Sequence, residues 1–166
     1  EASSDALNET IREEVNPPLQ DKPEVVFGGS MFRLDDRVMQ TKNNGLIQMW
    51  DNNGKELTPG VFNGEIGRVC DIQTGKVVIN FDNRFADYPL DGLSELTLSY
   101  ASTIHKAQGS EYDTVIIPLL MAHRILLTRN LLYTAVTRAK RRVLLVGQKK
   151  ALYTAIHTNR KGKRKT

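Results

Sequence analysis

Ser102-Thr103-Ile104-His105-Lys106-Ala107-Gln108-Gly109-Ser110-Glu111-Tyr112-Asp113, followed at once by Val115-Ile116-Ile117, is the stretch that decides the reading of this chain. Ser102 or Thr103 is suited to cap a short helix running to Gln108, with Gly109 ending it. Val115-Ile116-Ile117 has the unbroken apolar character of a strand buried on both faces. At such a junction, backbone amides and the Thr, His and Lys side chains can hold a phosphate, and Gly109 lets a ligand approach the backbone closely. An ordinary turn in which Glu111 balances Lys106 satisfies the same pattern.

The pattern continues downstream. Thr128 is suited to cap a helix through Ala139, with Leu131, Leu132, Ala135 and Val136 as its apolar stripe. Val143-Leu144-Leu145-Val146 reads as a second buried strand, and Lys149 to His157 as a last helix. Leu96-Thr97-Leu98-Ser99-Tyr100 reads as a strand in front of the set. Buried strands alternating with helices imply an α/β unit with a parallel sheet and right-handed crossovers. The segment Tyr133-Thr134-Ala135-Val136-Thr137-Arg138-Ala139-Lys140-Arg141-Arg142 falls on the helix and its exit. With the stripe facing inward, Thr134, Arg138 and Arg141 point elsewhere. Arginine offers a planar fork of donors suited to phosphate oxygens. A solvated basic helix end, favourable with the helix dipole, accounts for the same residues.

Upstream the texture changes. Residues 30–95 alternate short apolar runs with turn residues, as strands do. Arg37-Val38-Met39-Gln40 is a strand, with Lys42-Asn43-Asn44-Gly45 as the turn after it. Asn52-Asn53-Gly54 and Asn63-Gly64 read as hairpin turns, because Asn and Gly tolerate positive φ. Residues 65–72 and 76–81 read as two strands joined through Gln73-Thr74-Gly75. Several strands in about sixty residues suggest a small SH3-like barrel. Residues 1–27 are polar and acidic; Asp5 to Arg12 suit a short helix that Asn16-Pro17-Pro18 would stop.

Charge is segregated along the 166 residues. All 19 acidic residues lie in 1–113, against 10 Lys and Arg, a formal −9; the other 13 Lys and Arg lie in 114–166 with no acid, a formal +13. A block so one-sided attracts a polyanion, nucleic acid above all, although its end, Arg160-Lys161-Gly162-Lys163-Arg164-Lys165, also reads as a solvated tail. The single cysteine, Cys70, fits a reducing cytoplasm. No apolar run is long enough to span a membrane. The start, Glu1-Ala2-Ser3-Ser4-Asp5, lacks an initiator Met and a signal peptide, which reads as an excised segment or a processed chain.

Several chemistries find no support in the residues. No Gly-x4-Gly-Lys-Ser/Thr loop occurs. Asp35-Asp36 has no apolar strand before it of the kind that presents a Mg²⁺-binding carboxylate. The three histidines, His105, His123 and His157, are scattered, no cluster has zinc spacing, and no Gly-x-Ser-x-Gly elbow is present.

Taken together, the segments Thr103 to Glu111 and Tyr133 to Lys140 resemble the fifth and sixth sequence motifs of superfamily 1 helicases. Their wording is similar to the RecD-like branch, which includes the exodeoxyribonuclease V alpha subunit and its stand-alone relatives. Phe32-Arg33-Leu34-Asp35-Asp36-Arg37-Val38-Met39-Gln40-Thr41-Lys42-Asn43-Asn44 and Val61-Phe62-Asn63-Gly64-Glu65-Ile66-Gly67 resemble that branch too. The family usually carries Gly where Asp35 stands.

The resemblance implies an enzyme that moves along single-stranded DNA, 5′ to 3′, using ATP and Mg²⁺, with two RecA-like domains closing on the nucleotide. Residues 1–29 would begin the second RecA-like domain, 30–95 would be its inserted SH3-like barrel, 96–157 its remaining part, and 158–166 a basic tail. Arg138 would reach the γ-phosphate as the catalytic arginine. Gln108, Gly109 and Glu111 would line the nucleotide. Thr103, His105 and Lys106 would touch the DNA backbone, joined by Gln40, Lys42 and Asn43. The phosphate loop and Mg²⁺-binding carboxylate would belong to the first RecA-like domain of the same polypeptide, so this chain alone is expected to hold no metal and to leave ATP intact. Other nuclease–helicase subunits are further partners the resemblance brings; a membrane is not.

Two other readings fit parts of the chain. A non-enzymatic nucleic-acid-binding module would use the barrel and the basic tail. A peptide-binding barrel would need an aromatic groove from Trp50, Phe62, Phe81, Phe85 and Tyr88. The motor reading needs Glu111 and Arg138 on one edge of one sheet; a binding module does not.

Overall fold

Asn16-Pro17-Pro18 stops the first helix, α1 (Ser4–Val15), as proline must. The computed structural model describes residues 4–159 and separates into two units, Glu1–Ser102 and Thr103–Thr166. The basic tail lies outside the described residues from position 160 onward. No helix among the described residues is long and apolar enough to cross a membrane.

Helix α1 packs through polar side chains. Asn8, Arg12 and Asn16 recur every fourth position on one face and are all buried. Asn8 Nδ2 donates to the Ala101 carbonyl at 2.9 Å, and its Oδ1 accepts from the Ala101 amide at 2.7 Å. Arg12 Nη1 donates to the Met31 carbonyl at 3.0 Å, and Asn16 Nδ2 to the Leu34 carbonyl at 3.0 Å. Asn16 also donates to Asp36 at 2.8 Å. Asp36 is fully buried and accepts further from the Arg33 amide at 2.8 Å and the Tyr100 hydroxyl at 2.9 Å. Burial, then the Asp36 carboxylate, raise the Tyr100 phenol above its ordinary pKa.

A hairpin follows, β1 (Glu24–Phe27) with β2 (Ser30–Arg33), turning through Gly28 and Gly29 at φ 58° and 82°. It falls in a stretch whose composition marks it only as polar. Asp35, next in the chain, has φ 70°, the left-handed conformation glycine adopts freely.

The other strands of the first unit form one antiparallel sheet, separate from the β1–β2 hairpin: β3 (Arg37–Gln40), β4 (Met49–Trp50), β5 (Glu56–Leu57), β6 (Ile66–Gln73), β7 (Lys76–Phe81), β8 (Arg84–Pro89) and β9 (Leu96–Leu98). Their order is β5-β4-β8-β7-β6-β3-β9. The hairpin turns at 52–54 and 73–75 are where the sequence puts them. Asn63-Gly64 instead turns the chain into β6, whose partner is β3 rather than β5. Of the expected small SH3-like barrel the antiparallel sheet is present, and among the described residues its ladder is open: β5 pairs only with β4 and β9 only with β3, end strands of two and three residues. Phe32, Val38, Val69, Val77, Ile79, Phe81 and Tyr88 form the centre of its core. Gly67 is required there, since a Cβ would stand 2.6 Å from Ile79 Cγ2 and 2.9 Å from Phe81 Cδ1.

The strand expected to lead the α/β set, β9, pairs antiparallel with β3 and so belongs to this first sheet. The second unit has β10 (Tyr112–Leu119), α2 (Arg129–Val136), β11 (Ala139–Gly147) and α3 (Lys149–His157). β10 and β11 are parallel, with Val115 opposite Val143 and Ile117 opposite Leu145, and α2 lies on the crossover. Ile117, Leu119, Leu127, Ala135, Ala151 and Ala155 form its core, with Ile104 and Leu132 packed on it.

Three expectations need correction here. Residues 104–109 form successive turns instead of a helix, because only Ile104 and Ala107 pack inward. Helix α2 ends at Val136, not Ala139, because the sheet takes over: the Arg138 carbonyl accepts from the Tyr112 amide and Ala139 opens β11. The two apolar strands are covered on one face only, leaving Ile116 63% exposed and Leu144 and Val146 open on the same face.

Candidate functional site

The register of β10 on β11 builds the site. Tyr112 lies opposite Ala139, so Glu111 and Arg138, each one residue earlier, stand together at the amino-terminal edge of the parallel pair. This is the single-edge arrangement that the motor reading requires. The Thr128 hydroxyl starts α2 by accepting from the Leu131 amide, and the helix carries the chain back to that edge.

Arg138 faces the loop before β10. Its Nη1 donates to the Ser110 carbonyl at 3.3 Å and its Nη2 to the Thr137 hydroxyl at 3.5 Å. Its Nε is buried without a hydrogen-bond partner. Both contacts are long and both oxygens neutral, so the guanidinium keeps most of its capacity for a stronger acceptor. Its aim is toward the Gln108-to-Glu111 loop, not into the core.

The loop itself is open. Gln108 and Gly109 are exposed, and Gly109 takes φ 87°. Glu111 is exposed and pairs with Lys140 at 3.6 Å; a wet pair of this kind contributes on the order of 1 kcal/mol or less. Buried Ala107 anchors the loop, its amide donating to the Thr103 carbonyl at 3.0 Å. The Thr103 hydroxyl accepts from the Lys106 amide at 3.3 Å, leaving His105 and Lys106 exposed beside it. Thr103, His105, Lys106, Gln108, Gly109, Glu111 and Arg138 therefore belong to one unit and one edge. Lys140 carries no role that the sequence suggests; its ion pair with Glu111 depends on the two strands meeting, which spacing alone does not give.

Three expected contact residues lie in the first unit. Lys42 and Asn43 are exposed on the turn after β3. Gln40 is corrected: it is fully buried, donating to Glu95 at 3.0 Å and accepting from the Tyr88 hydroxyl at 3.0 Å, so it serves the core. Burial, then Glu95 and Glu65, push the Tyr88 phenol well above its ordinary pKa. The aromatic groove of a peptide-binding barrel does not form. Phe81 and Tyr88 are buried, Trp50 and Phe85 stack on each other with centroids 6.4 Å apart, and Phe62 stands separately.

Comparison with known proteins adds a second line of observation. Residues 7–81 match the model of the ATP-dependent RecD-like DNA helicase SH3 domain, and residues 98–146 that of the UvrD-like helicase C-terminal domain. The chain is 37% identical over 131 residues to the ATP-dependent RecD2 DNA helicase of Deinococcus radiodurans, covering 79% of this chain and 17% of that protein. It is 42% identical over 97 residues to the RecBCD enzyme subunit RecD of Mycobacterium tuberculosis, covering 58% of this chain and 17% of that one. The chain thus spans about a sixth of the length of these curated relatives. A solved structure described as "Structural Basis for DNA Unwinding at Forked dsDNA by two coordinating Pif1 helicases" aligns with a TM-score of 0.54 at 22% identity, covering 84% of this chain and 36% of that one, a likeness of fold.

Proposed function

The chain belongs to the RecD-like branch of the superfamily 1 DNA helicases, and on that premise we propose that its second unit supplies the arginine finger of an ATP-driven motor that translocates 5′ to 3′ on single-stranded DNA. The observation that carries the reading is Arg138 and Glu111 side by side at one sheet edge, with the guanidinium held only by neutral oxygens. A triphosphate offers that guanidinium charged acceptors in place of the Ser110 carbonyl. As charge builds on the transferring phosphoryl oxygens, two Arg138 N–H groups stabilise it, and Glu111 accepts from the nucleotide sugar. Thr103, His105 and Lys106 hold the DNA backbone through hydroxyl, imidazole and ammonium groups, with Lys42 and Asn43 as contacts from the first unit.

The amino-terminal edge of a parallel pair favours this division of labour. Nucleotide cradles in α/β sheets form beyond the carboxyl ends of strands, where loops and helix amino termini converge. Side chains at the opposite edge suit reaching toward a nucleotide held elsewhere. The phosphate loop and the Mg²⁺-binding carboxylate would lie in a first RecA-like domain of the same polypeptide, and the 166 residues alone would leave ATP unhydrolysed.

Arg138→Ala in the longer helicase tests the reading. DNA-stimulated ATP hydrolysis should fall by roughly a thousandfold or more, with oligonucleotide affinity little changed. A rate that survives the substitution removes the finger role. Equal loss of hydrolysis and DNA binding would point to a fold defect instead.

A further inference from the structure

Phe62 is the aromatic side chain of the first unit that water reaches most freely among the described residues, at 55% exposed. It is held on rigid backbone. Asn44 and Val61 exchange amide hydrogen bonds of 2.9 and 3.0 Å. The Asn63 amide donates to Asn43 Oδ1 at 2.9 Å, and the Gly64 amide to the Gln40 carbonyl at 2.8 Å. Its ring rests beside Gly60: a Cβ there would lie 3.7 Å from Phe62 Cζ and 3.4 Å from the Gly45 Cα. The ring tip lies against this backbone, and just over half of the residue is exposed. Leu46, 87% exposed, and the exposed Lys42 and Asn43 share the same pair of loops. Glu65 pairs with Arg84 and also accepts from the Phe62 amide at 3.3 Å, Glu95 accepts from the neutral amides of Gln40 and Asn44, and among the described residues Lys42 forms no ion pair with either carboxylate.

We propose that Phe62 stacks on a base of single-stranded nucleic acid, with Lys42 at a flanking phosphate. The inference rests on the DNA role proposed above and adds a base contact to backbone contacts. The size of the patch selects the occupant. A stable protein interface covers about 800 Å² per partner, whereas one Phe and one Leu side chain provide a fraction of that. A nucleobase matches a single ring face, and an aromatic side chain with a cation beside it is how unpaired strands are gripped.

The test uses the whole 166-residue chain and two fluorescein-labelled oligomers of equal length, oligo(dT) and its abasic counterpart, read by anisotropy. Phe62→Ala and Phe62→Leu should each weaken oligo(dT) binding about tenfold, while Phe62→Trp retains it. None of the three should change binding of the abasic oligomer. Thermal midpoints check that each variant is folded. Phe62→Leu binding at full strength, or equal losses on both oligomers, overturns stacking. Wild type and Phe62→Ala binding oligo(dT) equally overturns it while leaving the DNA role standing. Failure of the wild-type chain to bind either oligomer removes both.

Discussion

The backbone amide of Tyr112 donates to the carbonyl of Arg138 across 2.8 Å, tying the start of one strand to the residue before the other. That bond fixes the Arg138 backbone at the sheet edge and leaves its side chain to swing between Ser110 and whatever acceptor arrives.

Arg138→Lys in the longer helicase should therefore behave almost like Arg138→Ala in hydrolysis. Lysine keeps the charge but loses the planar fork that spans two phosphoryl oxygens. Steady-state ATPase assays with saturating oligonucleotide check this. Recovery to near wild-type rates would show that charge alone suffices.

Asp36→Ala should destabilise the first unit by about 3–5 kcal/mol, the cost of removing one partner from a buried charged network. It strips acceptors from Asn16, the Arg33 amide and Tyr100 together. Tyr100→Phe removes one of those bonds and should cost about 1 kcal/mol. Urea midpoints at constant m-value separate the two.

Gly67→Ala should cost about 1–3 kcal/mol, since the added methyl overlaps Ile79 and Phe81 and the core must shift. Gly75→Ala provides the contrast: nothing lies within 4 Å of a Cβ there, so its cost comes from its φ of 86° alone. Unfolding by denaturant should rank Gly67 as the more sensitive site.

Alkaline pH should unfold the protein through Tyr88. Its pKa is raised in the folded state, so the neutral phenol is favoured by folding. That stability is whole below the unfolded value of about 10 and is lost as pH rises toward the folded one. Thermal midpoints measured upward from pH 9 should fall in the wild type. The fall should be shallower in Tyr88→Phe, after allowing for a lower starting midpoint.

Legibility in the sequence followed the kind of interaction. The β6–β7 hairpin could be read because apolar alternation and Gly75 are local signals, and α3 because its bounds are local too. Helix α1 could be located, but its docking could not: it buries Asn8 and Arg12, with Asn16 buried just past its end, and hydrogen-bond partners such as Ala101 are remote in sequence. Gln40 shows the same limit, since a polar residue beside exposed Lys42 looks like a surface contact until Tyr88 and Glu95 are seen to enclose it. The end of α2 was set by strand pairing, which overrides local propensity. The sequence marks Asp35 only as standing where the family usually has Gly, and its φ of 70° gives the physical reason for that preference. At the candidate site, the residue types were legible, while their shared edge depended on parallel register.

The single covered face of the β10–β11 pair has a practical consequence. Wetted methyl groups on Ile116, Leu144 and Val146 sit along two strands whose outer backbone rims carry no ladder among the described residues. Such rims are templates for further strands, and hydrocarbon gains about 0.8 kcal/mol per methylene on leaving water. Handled alone at high concentration, these 166 residues should scatter light sooner than their net charge of +4 would suggest, and dilution or a mild chaotrope should delay it.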